Sequence, residues 1–236
     1  MEQLPIENTL TFAIGDIHGM FKHLKQLTEF CADYAERAGA KPKFITLGDY
    51  VDRGPDTKQC IDYLMNFPYP LIPLMGNHED MMLDSYNLSR WLNNGGTETM
   101  NSYSSSDGQA PAEHKEWMKS LKLIHEDQYR IYVHAGLNPG REFKDQIRAD
   151  MLWIREAFLK SEKDWGKLVV HGHTPYDPGN PRQPGMQWGH NKVRLNLDTA
   201  CVFGRSLTAA IFNDLQRDPI GYLQVDKELI NTFRVD

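Results

Sequence analysis

Five short polar motifs constrain this chain most, because each directly follows an apolar run that has the length of a buried strand. The motifs are Gly15-Asp16-Ile17-His18-Gly19, Gly48-Asp49-Tyr50-Val51-Asp52-Arg53-Gly54, Gly76-Asn77-His78-Glu79, His134-Ala135-Gly136-Leu137 and His171-Gly172-His173-Thr174. The preceding strands are predicted at 12–14, 44–47, 71–75, 131–133 and 168–170. Carboxyl ends of strands are where α/β folds place their ligands. The sequence therefore predicts one site built from all five motifs.

The segments between these strands predict an α/β organisation. Helical spacing of apolar residues predicts three helices, of which one directly follows the first strand, one lies at 57–67 and one lies at about 79–88. Alternation of strands and helices is typical of a mostly parallel sheet with right-handed crossovers. Later runs at 193–197, 206–212 and 221–225 predict strands of a second, more antiparallel sheet. With 236 residues and 40% hydrophobic content, we expect a single domain with one substantial core.

Two segments interrupt this alternation. Turn-rich residues after Trp91 and a helix predicted from Ala112 to about Ser120 form an insertion, at about 89–121, which we expect to cap one side of the site. A Pro/Gly-rich loop at 176–191 follows the last motif, and its attachment to the strand end that carries His173 favours a contact with substrate. We expect His23 and His114 on exposed helix faces.

Composition and charge narrow the partners. A formal net charge of −6 without a long basic run argues against a general nucleic-acid binder. Cys31, Cys60 and Cys201 are odd in number and far apart, which predicts neither a disulfide framework nor a thiolate zinc site. The start of the chain lacks the features of a signal peptide, and no apolar run approaches membrane-spanning length. We expect a cytoplasmic monomer that has no membrane partner.

The residue types in the motifs fit hydrolysis of a phosphate ester by a two-metal site. Two divalent cations about 3.5–4 Å apart acidify a water and neutralise the phosphoryl oxygens. Such a pair prefers hard oxygens and imidazole nitrogens to thiolates. Asp16 and His18 are two residues apart and can chelate one ion, and Asp49 can bridge both. The candidate ligands are Asp16, His18, Asp49, Asn77, His134 and His173.

Other motif residues can assist the reaction without binding metal. His78 points away from its neighbour Asn77 and is free to act as general acid, and the carboxylate of Asp52 can keep it protonated. Arg53 can bind the phosphate bidentately, and Arg155 supplies a second guanidinium. Glu79 either braces the metal ligands or is simply an acid at a helix start, which is the simpler interpretation.

The order of the motifs resembles the phosphoprotein phosphatase (PPP) family of metallophosphoesterases, in its small bacterial and phage form. The family signature Gly-Asp-x-His-Gly, Gly-Asp-x-x-Asp-Arg-Gly, Gly-Asn-His-Glu, His-Ala-Gly and Gly-His-Thr-Pro occurs here in full. The resemblance extends to Trp153-Ile154-Arg155 and to Asn196-Leu197-Asp198-Thr199. It implies the calcineurin-like metallophosphoesterase fold, a central two-sheet β-sandwich flanked by helices.

The resemblance also implies roles for individual residues. It assigns the first metal to Asp16, His18 and Asp49, and the second to Asp49, Asn77, His134 and His173. It makes His78 the acid with Asp52 as its partner, and it places Arg53 and Arg155 on the phosphate. Relatives usually carry glycine where this chain has Ala200, and we expect a packing adjustment there.

Three functions are compatible with these motifs. The first is a serine/threonine or dual-specificity protein phosphatase that uses water activated by two divalent metals, Mn²⁺ first and Fe or Zn as alternatives. The second is hydrolysis of dinucleoside polyphosphates such as diadenosine tetraphosphate, but relatives specialised for those anhydrides often lack the acidic partner that Asp52 supplies here. The third is an inactive module that binds phosphorylated partners, which would require a substituted ligand or acid.

Overall fold

The strands of the computed structural model, which describes residues 8–84, 86–104, 109–176 and 191–234, form two sheets. The strands are β1 Thr9–Ile14, β2 Lys41–Thr46, β3 Leu71–Pro73, β4 Ile124–Glu126, β5 Arg130–Val133, β6 Leu168–His171, β7 Arg194–Asn196, β8 Leu207–Phe212, β9 Gly221–Val225 and β10 Asn231–Arg234. The helices are α1 Phe21–Arg37, α2 Thr57–Met65, α3 Asn77–Leu83, α4 Leu88–Trp91, α5 Thr97–Tyr103, α6 Ala112–Lys119, α7 Arg148–Trp153 and α8 Glu156–Leu159. A π-helical turn at Leu92–Gly96 joins α4 to α5, and 3₁₀ turns lie at Phe143–Asp145 and Cys201–Phe203.

Each sheet contains a run of parallel strands that end in polar motifs. The larger sheet has the order β10-β9-β8-β1-β2-β3, and the smaller sheet has the order β4-β5-β6-β7. In the larger sheet β1, β2 and β3 are parallel, and in the smaller sheet β5, β6 and β7 are parallel. Parallel strands bring their carboxyl ends to one edge. The predicted strands before the five motifs are confirmed as β1, β2, β3, β5 and β6.

Apolar side chains of the two sheets meet in one buried cluster. Ala13 and Leu47 enter it from the larger sheet, and Leu168 and Val170 enter it from the smaller one. Helices α1 and α2 cover the outer face of the larger sheet, and α7 and α8 cover that of the smaller one. The result is a β-sandwich flanked by helices, which confirms the predicted fold class.

Within the described residues, no helix is long and apolar enough to cross a membrane. All three cysteines are buried and free.

The prediction that the last strands form their own sheet was wrong. β7 pairs with β6 in the smaller sheet, whereas β8 lies antiparallel beside β1 and extends the larger sheet through β9 and β10. Alternate residues of β8 enter different clusters, since Phe212 packs between the sheets and Ile211 packs outside with α1. A strand that is buried on both faces suits the middle of a sheet, and the sequence pattern does not reveal its neighbours.

The insertion is more helical than predicted. The helix predicted at about 79–88 ends at Leu83, and α4 begins anew after Asn87, whose side chain accepts the N–H of Arg90. The segment after Trp91, which was predicted as turns, continues as the π-helical turn and α5. The helix predicted from Ala112 is confirmed as α6.

Two histidines predicted on exposed helix faces are buried. His23 lies on the core side of α1, and His114 on α6 forms an ion pair with Asp62 of α2 at 3.0 Å. The hydroxyl of Tyr103 bonds the other ring nitrogen of His114 at 2.9 Å, so this histidine ties the insertion to the body of the fold. The Pro/Gly-rich loop at 176–191 lies outside the described residues, except for its first and last positions.

Candidate active site

The site loops depart from ordinary backbone geometry at the residues with candidate roles. His18, Asp49, Asp52, Arg53 and His173 all have positive φ, between 46° and 72°. Such conformations are unfavourable for residues with a Cβ and persist only where surrounding contacts enforce them. Strain of this kind concentrates at functional sites. The motif loops are therefore held in shape by specific contacts rather than by local preference.

Asp49 lies at the centre of the cluster. Its Oδ1 accepts the N–H of His78 at 3.0 Å and lies 3.3 Å from Nε2 of His134, whereas its Oδ2 lies 3.5 Å from Nε2 of His18. The two carboxylate oxygens thus face different histidines. This geometry suits a carboxylate that bridges two cations.

Asn77, His134 and His173 gather on one side of Asp49. The Oδ1 of Asn77 lies 2.9 Å from Nε2 of His134 and 2.7 Å from Nδ1 of His173. The other ring nitrogen of His134 contacts the carbonyl of Leu47 at 2.8 Å, which fixes the ring orientation. Ligand atoms of Asp49, His134 and His173 lie within 4.8 Å of one another, so this side could hold one metal ion.

The other side of Asp49 only partly matches the predicted ligand set. Ligand atoms of His18, Asp49 and His78 lie within 4.8 Å of one another there. The predicted ligand set for this side has Asp16 in place of His78. Both oxygens of Asp16 accept the backbone N–H of His173, at 3.0 and 3.2 Å. Nδ1 of His78 is already hydrogen-bonded to Asp52. Asp16 therefore lies in the same buried cluster but is turned toward the loop after β6.

Glycines in the motifs make room for these carboxylates. A Cβ on Gly172 would overlap Oδ1 of Asp16, and a Cβ on Gly76 would overlap Oδ1 of Asp49. The glycines that precede or separate the polar residues are therefore steric requirements of the site.

His78 and Asp52 form a buried pair beside Asp49. Nδ1 of His78 lies 2.7 Å from Oδ2 of Asp52, and both side chains are almost fully buried. The opposite nitrogen of His78, Nε2, lies 3.9 Å from Oδ2 of Asp49 and so faces the cluster. Burial lowers the pKa of His78, but the Asp49 carboxylate and the hydrogen bond to Asp52 outweigh it, and the net shift is upward. The ring is thus oriented as a proton donor requires, and its surroundings favour the protonated form.

The remaining histidines of the cluster favour the neutral form. Burial lowers the pKa of His18 to about 3, and it also lowers the pKa of His134 and His173. Neutral imidazole is the form that binds a metal ion. The four buried rings thus divide into three potential ligands and one potential acid.

Despite burial, the histidines around Asp49 lower the pKa of that carboxyl, but two other carboxylates of the cluster, Asp16 and Asp198, lack sufficient positive charge from the protein. Burial, and then the charges of Asp198 and Asp49, raise the pKa of Asp16 well above its usual value. Burial and the Asp49 charge raise the pKa of Asp198 to about 6. Nε2 of His173 is buried without a hydrogen-bond partner among the described residues. Excess buried negative charge, neutral imidazoles and an unpartnered ring nitrogen all fit a pair of divalent cations.

The two predicted phosphate-binding arginines lie near the cluster in different settings. Nη1 of Arg53 lies 2.6 Å from Nε2 of His18, and its guanidinium lies 5.6 Å from the ring centroid of Phe203. Arg155 is exposed, and its Nη1 donates to the hydroxyl of Thr174 at 3.4 Å. The guanidinium of Arg155 is therefore accessible to an anion.

The sequence left two roles open for Glu79, a brace for the metal ligands and an acid at a helix start, and favoured the second as the simpler interpretation. Glu79 is fully buried and accepts four backbone N–H groups, from Gly76, Asp49, Tyr50 and Val51, at 2.7–3.2 Å. It therefore braces the loop that carries Asp49, in addition to its place at the start of α3. Its motif position beside His78 was the available signal.

Residues of the insertion also reach the site. The indole N–H of Trp91 and the hydroxyl of Thr99 both donate to Oδ1 of Asp52 at 2.8 Å. The guanidinium of Arg90 stacks on Trp153 at 4.2 Å, and Trp153 in turn packs edge-on against His173. Trp91 and Thr99 lie outside the five motifs and were not identified from the sequence, because nothing local distinguishes them, whereas Trp153 belongs to a segment that the resemblance already included.

The β-sandwich and this donor set define a metal-dependent phosphoesterase. The family model for calcineurin-like phosphoesterases matches residues 10–211, and the chain belongs to that family. This agrees with the resemblance to PPP metallophosphoesterases. The family is dinuclear metal-dependent, and its members include both protein phosphatases and hydrolases of dinucleoside polyphosphates.

Relatives with different names are similar to this chain. It is 31% identical to a symmetrical bis(5'-nucleosyl)-tetraphosphatase of Pseudomonas fluorescens over 58% of this chain, but over only 47% of that protein, so it spans about half its length. It is 28% identical to serine/threonine-protein phosphatase 1 of Salmonella typhimurium, over 84% of this chain and 90% of the relative. A mutant of a cold-active protein tyrosine phosphatase has a similar fold, with a TM-score of 0.57, 14% identity and coverage of 98% and 82% of the two chains.

Proposed function

We propose that this metallophosphoesterase hydrolyses phosphate monoesters on proteins or peptides, as a serine/threonine or dual-specificity protein phosphatase. The observation that carries the proposal is the buried His78–Asp52 pair, at 2.7 Å, with the free nitrogen of His78 toward Asp49. An alkoxide that leaves from phosphoserine needs a proton, and a fixed imidazole can supply it. A phosphate that leaves from an anhydride scarcely needs one.

The assignment of ligands remains the one that the motifs predict. Asp16, His18 and Asp49 would hold one ion, and Asp49, Asn77, His134 and His173 would hold the other. When bound, two divalent ions acidify the attacking water and neutralise the phosphoryl oxygens. Mn²⁺ is the proposed metal, with Fe or Zn as alternatives, because hard oxygens and several imidazoles suit all three.

The protein's own residues supply the other steps. Nε2 of His78 gives its proton to the leaving oxygen, while Asp52 stabilises the charged ring beforehand. Arg53 and Arg155 bind the phosphate, and the exposed position of Arg155 allows it to close on the anion. The three buried cysteines offer no accessible thiol as an alternative nucleophile.

A second candidate is hydrolysis of dinucleoside polyphosphates. The name of the Pseudomonas relative favours it, although this chain spans only about half of that protein. An inactive binding module is less well supported, because every predicted ligand and acid position carries its expected side chain. A single domain with a cap at about 89–121, and a cytoplasmic monomer, remain our predictions for organisation and location.

Parallel rate measurements test the proposal. The purified protein with added Mn²⁺ is assayed on a phosphoserine peptide, a phosphotyrosine peptide and diadenosine tetraphosphate. We expect the highest kcat/KM on a phosphopeptide, and the ratio of the two peptides distinguishes serine/threonine from dual specificity. A higher kcat/KM on diadenosine tetraphosphate than on either peptide would replace the leading proposal with the second candidate.

A further inference from the structure

We propose that Trp91 and Thr99 of the insertion are positioning residues for the proton donor, because together they fix the carboxylate of Asp52 that orients His78. This inference rests on the proposed function, since it assigns the two residues to the protonation of the leaving group. Neither residue lies in a motif, and Trp91 and Thr99 reach Asp52 from 39 and 47 residues further along the chain.

The hydrogen bonds to Asp52 divide its two oxygens between two tasks. Oδ1 accepts the indole N–H of Trp91 and the hydroxyl of Thr99, both at 2.8 Å, and Oδ2 contacts Nδ1 of His78 at 2.7 Å. Asp52 is completely buried, so water cannot replace a lost donor without a rearrangement. With Oδ1 occupied twice, the carboxylate cannot rotate freely, and Oδ2 stays directed at the imidazole.

Thr99 has a second bond that fixes the backbone. Its hydroxyl oxygen accepts the N–H of Asp52 at 2.8 Å and lies 3.1 Å from the hydroxyl of Thr57. The one proton of Thr99 is given to Asp52, so Thr57 must donate its own proton to Thr99. One hydroxyl therefore anchors both the backbone and the side chain of Asp52.

The π-helical turn extends the same anchoring to the next residue. The carbonyl of Gly95 accepts the N–H of Arg53 at 3.0 Å, and a Cβ on Gly95 would overlap Arg53. A Cβ on Gly96 would overlap the indole of Trp91, so the second glycine lets that ring reach Asp52. Asp52 and Arg53 have φ of 72° and 69°, and these bonds from the insertion stabilise that strained pair.

Loss of a positioning residue and loss of a general structural residue have different effects on the hydrolysis rates of different substrates. If Trp91 and Thr99 act through Asp52 and His78, their loss slows only esters whose leaving group needs a proton. A defect in folding or in metal binding slows all esters alike. Nitrophenyl phosphate, whose leaving group needs no proton, and a phosphoserine peptide make this distinction.

The test uses the full chain with Mn²⁺ and four variants. Thr99→Val removes the hydroxyl with little change of shape, and Trp91→Phe removes the indole N–H together with part of the ring while it keeps an aromatic side chain. Thr99→Ser keeps the hydroxyl. Thr97→Val is the matched control, because Thr97 is exposed two residues earlier on the same helix. We expect Thr99→Val and Trp91→Phe to lower kcat on the phosphoserine peptide by about 10–100-fold while the rate on nitrophenyl phosphate and the metal content stay near those of the parent.

Thr99→Ser should recover most of the lost rate, and Thr97→Val should behave as the parent. Equal losses on both esters, or a serine variant as slow as the valine variant, would overturn the inference. If Thr99→Val does not fold, Trp91→Phe and Thr99→Ser still test the positioning role. The quantity compared is the ratio of the rate on the phosphoserine peptide to the rate on nitrophenyl phosphate.

A double-mutant cycle separates this inference from the proposed function. In the background of His78→Asn, Thr99→Val should have no further effect on the phosphoserine peptide, because the group that it positions is gone. Additive losses would overturn the positioning role. If His78→Asn alone slows both esters equally, the acid assignment in the proposed function fails. If His78→Asn selectively slows the phosphoserine peptide but neither Thr99→Val nor Trp91→Phe does, only the positioning role of Trp91 and Thr99 is refuted.

Discussion

The strand-end loops and the insertion contribute to the same site in different ways. The loops after β1, β2, β3, β5 and β6 contain the candidate metal ligands, and their shape is fixed by buried groups such as Glu79 and by the carbonyl of Leu47. The insertion, from α4 to α6, contains none of the candidate ligands and supports the acid pair through Trp91 and Thr99. The candidate metal ligands thus lie on the strand-end loops, whereas the carboxylate of the acid pair accepts two of its hydrogen bonds from the insertion.

This difference has a physical basis. The loops lie at the ends of strands that are packed on both faces, so small displacements there are opposed by the core. The insertion packs Met118 into the main core, and its polar contacts with α2 include His114 with Asp62 and the bond from the N–H of Lys58 to Ser102. Changes in the loops should affect all substrates, and changes at the insertion should affect them selectively.

The largest effect is expected from Asp49→Asn. An amide has one oxygen and no charge, so it cannot bridge two cations. We expect loss of bound metal and a fall of turnover to the background rate on every ester, measured by elemental analysis and by parallel assays. Asp33→Asn, at a half-exposed carboxylate on α1, serves as the control and should keep both properties. Two bound metals and a near-normal rate in Asp49→Asn would remove the bridging assignment.

His78→Asn tests the point where the two regions meet. General acid catalysis contributes about 10²–10⁴-fold, so we expect a loss of that size on a phosphoserine peptide. The loss on nitrophenyl phosphate should be much smaller, and the metal content should be unchanged. Equal losses on the two esters would show that His78 supports the cluster as a whole and does not act as the acid. The position of His78 close to His18 and Asp49 is compatible with that alternative role.

The sequence predicted the loops better than the insertion. Each motif follows an apolar run, and both the strand and its polar end can be recognised within about ten residues. Thus β1, β2 and β3 and their ligands could be placed together without knowledge of the remaining fold. The pairing of β8 with β1 could not be predicted, because it joins residues about 200 positions apart and the burial of both faces of β8 does not specify a partner.

The insertion shows a second reason for failure. Gly95 and Gly96 were interpreted as part of a turn-rich stretch, and Gly95 does interrupt the helix, with φ of 101°. In the structure they are required because Arg53 and the indole of Trp91 approach them too closely for a side chain. Ala200, where relatives have glycine, adopts φ of 60°, a conformation that favours glycine, and the packing adjustment expected there stays a prediction. Tertiary contacts determined these positions, and they are not visible in a local pattern.

Glu79→Gln should give the next effect in size, and it should be uniform across substrates. The amide nitrogen of glutamine cannot accept the backbone N–H groups that one oxygen of Glu79 now binds, and each buried donor left unpaired costs about 1–3 kcal/mol. We expect a lower melting temperature and metal affinity reduced by about 10–100-fold, with equal losses on both esters once metal is limiting. Asp80→Asn is the matched control, because its carboxylate on the same helix pairs only with partly exposed Arg148 among the described residues. A loss restricted to phosphoserine would contradict the division between the two regions.

The smallest effect is expected from Arg155→Ala. Arg155 is exposed, and the one described hydrogen bond of its side chain is a long contact with Thr174, so the folded state should lose little stability without that side chain. If it closes on the phosphate, its removal weakens a charged hydrogen bond to the substrate and raises KM by about 10-fold, with a smaller change in kcat. Arg37→Ala, at the exposed end of α1, should change neither parameter. A lower melting temperature with an unchanged KM would mean that Arg155 packs the segment after α7 and does not bind the phosphate. Arg155 lies outside both the strand-end loops and the insertion. If its loss raises KM equally for nitrophenyl phosphate and for the phosphoserine peptide, phosphate binding is a third contribution to catalysis, independent of metal binding and of proton transfer.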